Sequence, residues 1–240
     1  MRRGVPARSL AVLGAVLLAG LSGCVTRQAA PPAERPVPSP LVGSPFDVRD
    51  SESQLIVLVY RAGPLAALGH NHVVSCRCIS GTIYFPDDPM HSSFDLRFPV
   101  GQLTVDDAWL RADEHSPDFP PDVAQSARQG TRHNMLGAAL LNAARYPDIE
   151  LRSAGLRPSA DGKPGDLVAQ VLVRLGGGWH PVAVPLHYVF TGSEITVSGE
   201  FPLKQTDLGL TPFSALGGGL TVRDGMNIRL TLIARPRRYF

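Results

Sequence analysis

The stretch 167–175, LVAQVLVRL, decides the fold. Its odd positions, Leu167, Ala169, Val171, Val173 and Leu175, are all apolar, while Gln170 and Arg174 fall on the even ones. Side chains of an extended chain alternate between two faces, so this pattern means one buried and one wet face, as in an antiparallel sheet. Downstream, 182–190 (VAVPLHYVF) carries Val182, Val184, Leu186, Tyr188 and Phe190 in one parity. Ile195, Val197, Gly199, Phe201 and Leu203 continue the scheme, and Met226, Ile228, Leu230, Leu232 and Ala234 close it against Asn227, Arg229, Thr231 and Arg235. Upstream, Phe94, Leu96, Phe98 and Val100 alternate with Ser93, Asp95 and Arg97. Turn residues separate the runs: Pro86-Asp87-Asp88-Pro89, Asp161–Gly165, Gly176–Gly178 and Thr191-Gly192-Ser193.

These signals predict eight strands, at 54–61, 72–85, 92–100, 148–157, 166–175, 180–190, 194–203 and 226–235. One interruption is helical. Thr131–Arg145 places Met135, Leu136, Ala139, Leu140 and Ala143 at helix spacing before Pro147, and a shorter helix is expected at 121–129. The expected fold is all-β with an inserted helix, an antiparallel eight-stranded up-and-down barrel whose closure removes exposed edges. A two-sheet sandwich satisfies the same alternation and is the alternative. Periodicity is met equally by a hollow tunnel and by a solid core.

Composition excludes several classes. With 23 Lys+Arg against 21 Asp+Glu, the net charge of +2 does not neutralise a phosphate track, so no nucleic-acid partner is expected. Three cysteines are too few for a disulfide scaffold. Only the start offers a continuous apolar run, which argues against a multi-pass membrane protein. There, Arg2, Arg3 and Arg8 precede the stretch from Leu10 to Leu21, the pattern of a secretory signal peptide over 1–23. Leu21-Ser22-Gly23-Cys24 resembles the bacterial lipobox, which implies lipidation of Cys24 and anchoring to a membrane through its acyl chains. Residues 24–45, rich in Pro and Ala, read as a tether, leaving 46–240 as the folded domain. The expected location is the cell envelope, facing the periplasm; Val25 after the cysteine favours the outer membrane over the inner.

Several segments carry a family resemblance. They are Leu55–Arg61, Leu68-Gly69-His70-Asn71-His72-Val73-Val74, and Gly81–Phe85 with Asp88-Pro89. Asn134-Met135-Leu136 then leads through Ala144-Arg145-Tyr146-Pro147-Asp148-Ile149 to Arg152-Ser153. Val197–Phe201, Gln205–Pro212 and Val222-Arg223-Asp224 complete the set. In order and spacing they resemble YceI-like domains across nearly all of 46–240. The resemblance implies a lipocalin-like barrel that holds a polyisoprenoid, such as a prenylated quinone or alcohol, with no cofactor and no catalysis. The ligand would then lie on the apolar faces, against Phe94, Leu96, Phe98, Val171, Val173, Val184, Leu186, Tyr188, Phe201, Ile228 and Leu230. The chain departs from common members in His70-Asn71-His72, in Cys76 and Cys78, and in the lipid anchor.

His70 and His72, two apart, point the same way on an extended chain. Three roles are open to them: contact with a ligand head group at the barrel mouth, a metal site with Cys76 and Cys78, or satisfaction by backbone groups in a turn. Cys76 and Cys78 are expected either as free buried thiols or as a labile bridge, because the spacing in a regular strand lies at the limit for a disulfide. Rival readings are accordingly a metal- or redox-linked periplasmic protein, and a solid-core lipoprotein that binds a partner through 101–145. Other constellations yield no chemistry. Asp106-Asp107 and Asp113-Glu114 read as acidic loop faces, Gly217–Gly219 lacks a phosphate-binding helix, and Arg235, Arg237 and Arg238 read as terminal charge or a contact for anionic lipid. The sequence assigns no oligomeric state.

Overall fold

The computed structural model describes residues 36–238; the expected signal peptide, Cys24 and the first part of the tether lie outside them. In chain order the main strands are β1 Ser44–Val48, β2 Gln54–Ala62, β3 His72–Cys76, β4 Ser80–Phe85, β5 Ser93–Pro99 and β6 Thr104–Val105. Two helices follow, α1 Ala108–Asp113 and α2 Gln125–Leu136. The chain then continues through β7 Asp148–Pro158, β8 Asp166–Leu175, β9 Gly178–Phe190, β10 Ile195–Lys204, β11 Ser214–Ala215 and β12 Leu220–Pro236. No helix among the described residues is long and apolar enough to cross a membrane.

Every strand pairing is antiparallel, and the sheet closes in the order β1-β4-β5-β7-β8-β9-β10-β12, because β1 pairs with β4 on one edge and β12 on the other. Closure excludes the sandwich. Beyond it, β12 also pairs with β2, which pairs with β3, which pairs with β6. Thus β1 with β2, β3 with β4, and β5 with β6 act as three ribbons, each broken once. With β7, β8, β9, β10 and β12 they make the eight expected ribbons.

The break in the second ribbon corrects the continuous strand expected at 72–85. β3 ends at Cys76 and β4 begins at Ser80, and between them Cys76 and Cys78 form a disulfide with their Cα atoms 5.3 Å apart. A regular strand would hold them near 7 Å; leaving the ladder brings them into bridging range. The loop it closes is so short that its entropic contribution is small, about 1–2 kcal/mol. Denaturant melts of a Cys76→Ala/Cys78→Ala variant are therefore expected to lie within about 2 kcal/mol of the parent. Gly81, just beyond the break, has φ +130°, and a Cβ there would fall on the carbonyl oxygen of Asp95 across the ladder. Gly81→Ala should cost about 1–3 kcal/mol in the same melts.

Parity holds along β8, β9, β10 and β12, where Ala169, Val184, Ile195 and Ala234 are buried inside. In β7 a bulge between Ser153 and Gly155 shifts the inward set from Ile149 and Leu151 to Leu156. On β2 both faces are covered. Leu55, Val57 and Val59 face inward, while Ile56 and Leu58 pack outside with Val73, Leu110 of α1 and Phe119. That second, smaller core fixes the segment 106–120 to the barrel wall.

The helix expected at 131–145 is displaced to α2, and 121–124 are not helical. Gly137, in an extended conformation, ends α2, and the chain then folds into tight turns in which Leu141 N–H bonds Met135 O and Asn142 N–H bonds Gly137 O. Those turns carry Leu140 and Leu141 to the interior, which a continued helix would not do. The start of the domain also moves. Ser39 N–H donates to Ser153 O and Ser44–Pro45 are already sheet, so the end of the stretch read as tether lies on the barrel.

Candidate functional site: an apolar cavity with an aromatic mouth

The barrel interior holds a cavity of about 300 Å³. All eleven apolar positions predicted from strand parity, Phe94, Leu96, Phe98, Val171, Val173, Val184, Leu186, Tyr188, Phe201, Ile228 and Leu230, are on its lining. No charged side chain is. Among the described residues polar groups enter only through Ser92, Gln205 and the Tyr188 hydroxyl, and the Gln205 amide is already committed to Arg223 O at 2.7 Å. Ser92 Oγ is buried without a hydrogen-bond partner among the described residues. A buried hydroxyl left in that state loses on the order of 1–3 kcal/mol relative to a bonded one.

At one end the lining residues Phe85, Pro89 and Tyr188 also border a wider surface depression of about 830 Å³. This is the mouth. It is rimmed by the loops 86–92, 159–165 and 191–193 and by the start of β1. Phe85 stands at its centre, 4.7 Å from Phe190, 6.1 Å from Phe46 and 6.2 Å from Tyr188 between ring centroids. Phe190 and Val189 on the rim are exposed, as are Leu41 and Val42 just before β1. His187 Nδ1, paired with Asp166 at 2.7 Å, supplies a polar edge to the depression.

His70 and His72 are not on the cavity lining, which corrects the head-group role considered for them. They do converge, as their spacing predicted, but on Asp106. Pairing of β6 with β3 sets Val105 opposite Val74, so Asp106 follows directly beside Val73 and donates its backbone N–H to Val73 O. Asp106 Oδ1 accepts from Val73 N–H at 2.9 Å and from Arg111 Nη1 at 2.6 Å. Its Oδ2 accepts from His70 Nε2 at 3.1 Å and His72 Nδ1 at 2.8 Å. Burial works to raise the Asp106 carboxyl, but the bonds from the two imidazoles and from Val73 overcome it and hold it well below the ordinary carboxylate range. Arg111, also fully buried, donates further to Asn71 O and Pro120 O. The carboxylate thus ties β3, β6, α1 and the 116–120 loop together.

Asp106 and Arg111 were missed from sequence, Asp106 being read as an acidic loop face. It lies 34 and 36 residues from the histidines, so only knowledge of the β3–β6 pairing would have joined them. Ser92, hidden among the turn residues of 86–92, gave no signal either. Cys76 and Cys78, joined to each other and buried in the main core, do not serve as ligands beside His70 and His72. Of the remaining constellations, Asp107 caps α1 by accepting from Trp109 and Leu110 N–H, and Glu114 pairs with Arg229. Arg235 is engaged by Glu52 and Glu194, and Arg237 by Asp47.

An eight-stranded antiparallel barrel closed around an apolar cavity, with short helices inserted before its fourth ribbon, is the YceI-like lipocalin fold. The comparisons agree. BcnA of Burkholderia cenocepacia superposes with a TM-score of 0.55 at 14% identity, over 78% of this chain and 98% of that one. A domain from Saccharophagus degradans, described as polyisoprenoid-binding and implicated in plant cell wall breakdown, superposes at 0.50 with 11% identity, over 80% of this chain and 98% of that one. The Campylobacter jejuni YceI protein gives 0.46 at 12% identity, over 67% of this chain and 82% of its own. No family model and no curated protein sequence matches the chain, and at these identities the likeness to the first two structures establishes the fold alone.

Proposed function

We propose that this protein binds a polyisoprenoid, such as a prenylated quinone or alcohol, with its chain in the barrel cavity and its head at the aromatic mouth. The observation that carries the reading is a closed barrel with an interior free of charge, reached past Phe85 and Tyr188. A prenyl chain has little hydrogen-bonding capacity, so its affinity derives from area removed from water, roughly 2.5 kcal/mol per 100 Å² before the costs of ordering. A lining without charged groups supports that and nothing more polar. The head then meets Ser92 Oγ, whose unfilled bonding capacity suits a carbonyl or hydroxyl, and the Tyr188 hydroxyl. The role is non-enzymatic: carriage of the lipid in the cell envelope.

Anchoring through an acylated Cys24 belongs to the same proposal. The exposed Val189 and Phe190 at the opening would suit contact with the membrane that supplies the lipid. Purified protein incubated with a short-chain prenylated quinone is expected to retain about one equivalent after separation from free lipid. Ser92→Ala should weaken retention of the quinone several-fold and leave a prenyl hydrocarbon unaffected. Retention of neither lipid by the parent protein would contradict the proposal.

A further inference from the structure

We infer that His70, His72 and Asp106 form a site for one first-row divalent metal ion of the imidazole-binding class that zinc represents, on the outside of the barrel. The site is independent of the cavity. One donor atom from each of the three residues lies within 4.8 Å of those of the other two. Metal–ligand bonds of about 2.0–2.1 Å, subtending 90° to 109°, separate adjacent donors by about 2.8–3.4 Å. The carboxylate oxygen stands 3.1 and 2.8 Å from the two nitrogens, already at the spacing of ligands that share an ion. On binding, the ion takes the place of the two N–H protons that now point at Oδ2, and each imidazole adopts its other tautomer.

The surroundings of the carboxylate are those of a supported ligand. Oδ1 is fixed by Val73 N–H and Arg111, leaving Oδ2 to the imidazoles alone. Hydrogen bonds to the non-ligating atoms of a metal ligand orient it and are part of how such sites are built. Access is present on one side only: the Asp106 side chain is 0% exposed, those of His70 and His72 26% and 18%. Solvent can therefore complete the coordination shell from the histidine side. Arg111 shares the charge of the carboxylate, so the site offers little to ions held by charge alone. It favours ions that seek nitrogen, such as Zn²⁺, Ni²⁺ or Cu²⁺, over Mg²⁺ and Ca²⁺.

The test is a zinc titration of the full chain in detergent micelles, stripped of metal beforehand, against a chromogenic chelator. The parent is expected to take one Zn²⁺ and to ignore Mg²⁺ and Ca²⁺ at the same concentration. His70→Ala and His72→Ala should each lower zinc affinity more than about 100-fold, since loss of a ligand exceeds the 10–100-fold effect of losing an outer partner. His91→Ala and His133→Ala, away from the cluster, should leave it unchanged. Far-ultraviolet dichroism checks folding of each variant, and Co²⁺ absorption in the parent, absent in the two ligand variants, gives a second readout. Absence of a stoichiometric zinc site in the folded parent, or a site that survives both ligand substitutions, would overturn the inference.

Discussion

Leu186→Arg is expected to abolish lipid retention while the barrel stays folded. Leu186 lines the cavity from β9 and is partly exposed, two residues before Tyr188 at the mouth. A guanidinium there can extend toward water along its apolar stem, which spares the fold the full penalty of a buried charge. The path of a prenyl chain is different, because the same side chain crosses it. A chain that enters must either displace the cation inward, into a lining with no charged partner, or stop short of the interior. Burying an unpaired charge costs several kcal/mol, as much as a few hundred Å² of apolar contact contributes. Retention should therefore fall by at least about 100-fold, measured as bound quinone per protein, with a melting temperature close to the parent's. A folded variant that retains the lipid would show that the chain does not run past β9.

Asp106→Ala is expected to be the most destabilising single change outside the main core. It removes an acceptor of four hydrogen bonds and leaves Arg111 buried beside an empty position. Breaking one side of a buried ion pair typically costs about 3–5 kcal/mol. The loss should be local first, because the carboxylate joins α1 and 116–120 to β3 while the closed ring of eight strands does not include it. Amide exchange is thus expected to rise over 106–120 before it rises in β8 or β12. The pH dependence has a definite sign. The folded carboxyl titrates below its ordinary value of about 3.9, so its contribution is present above that value and is lost only as pH falls below it. Denaturant melts of the parent and of Asp106→Asn should keep their difference down to about pH 4 and converge in stronger acid.

How much was legible in the sequence follows from where the chain is regular. β8, β9, β10 and β12 were readable because their two faces meet different solvents, apolar interior and water, and alternation records that contrast. The first three ribbons were legible only in part: β2 and β5 were expected at 54–61 and 92–100, but β1, β6 and the break between β3 and β4 were not. Each breaks where the ladder is interrupted, at 49–53, 77–79 and 100–103, and the outer face of β2 is buried under α1, so Ile56 and Leu58 erase the alternation. β1, only five residues long and containing Pro45, left no periodic signal. The cavity lining was readable for the same reason as the strands, since facing inward in a closed barrel and lining its interior are one property. The mouth was not, because it is built from loop ends that meet only after closure. The Asp106 cluster was likewise hidden: its partners come from 70–73 and 106–111, and β3–β6 is a ladder of two residue pairs.

Native mass spectrometry of the protein extracted from cells under mild conditions, followed by organic extraction of the same sample, addresses the central claim directly. A single prenyl lipid per chain, lost in Leu186→Arg, is the result expected of an occupied barrel. A protein that flies free of lipid when gently released, and yields no prenyl compound on extraction, would contradict it.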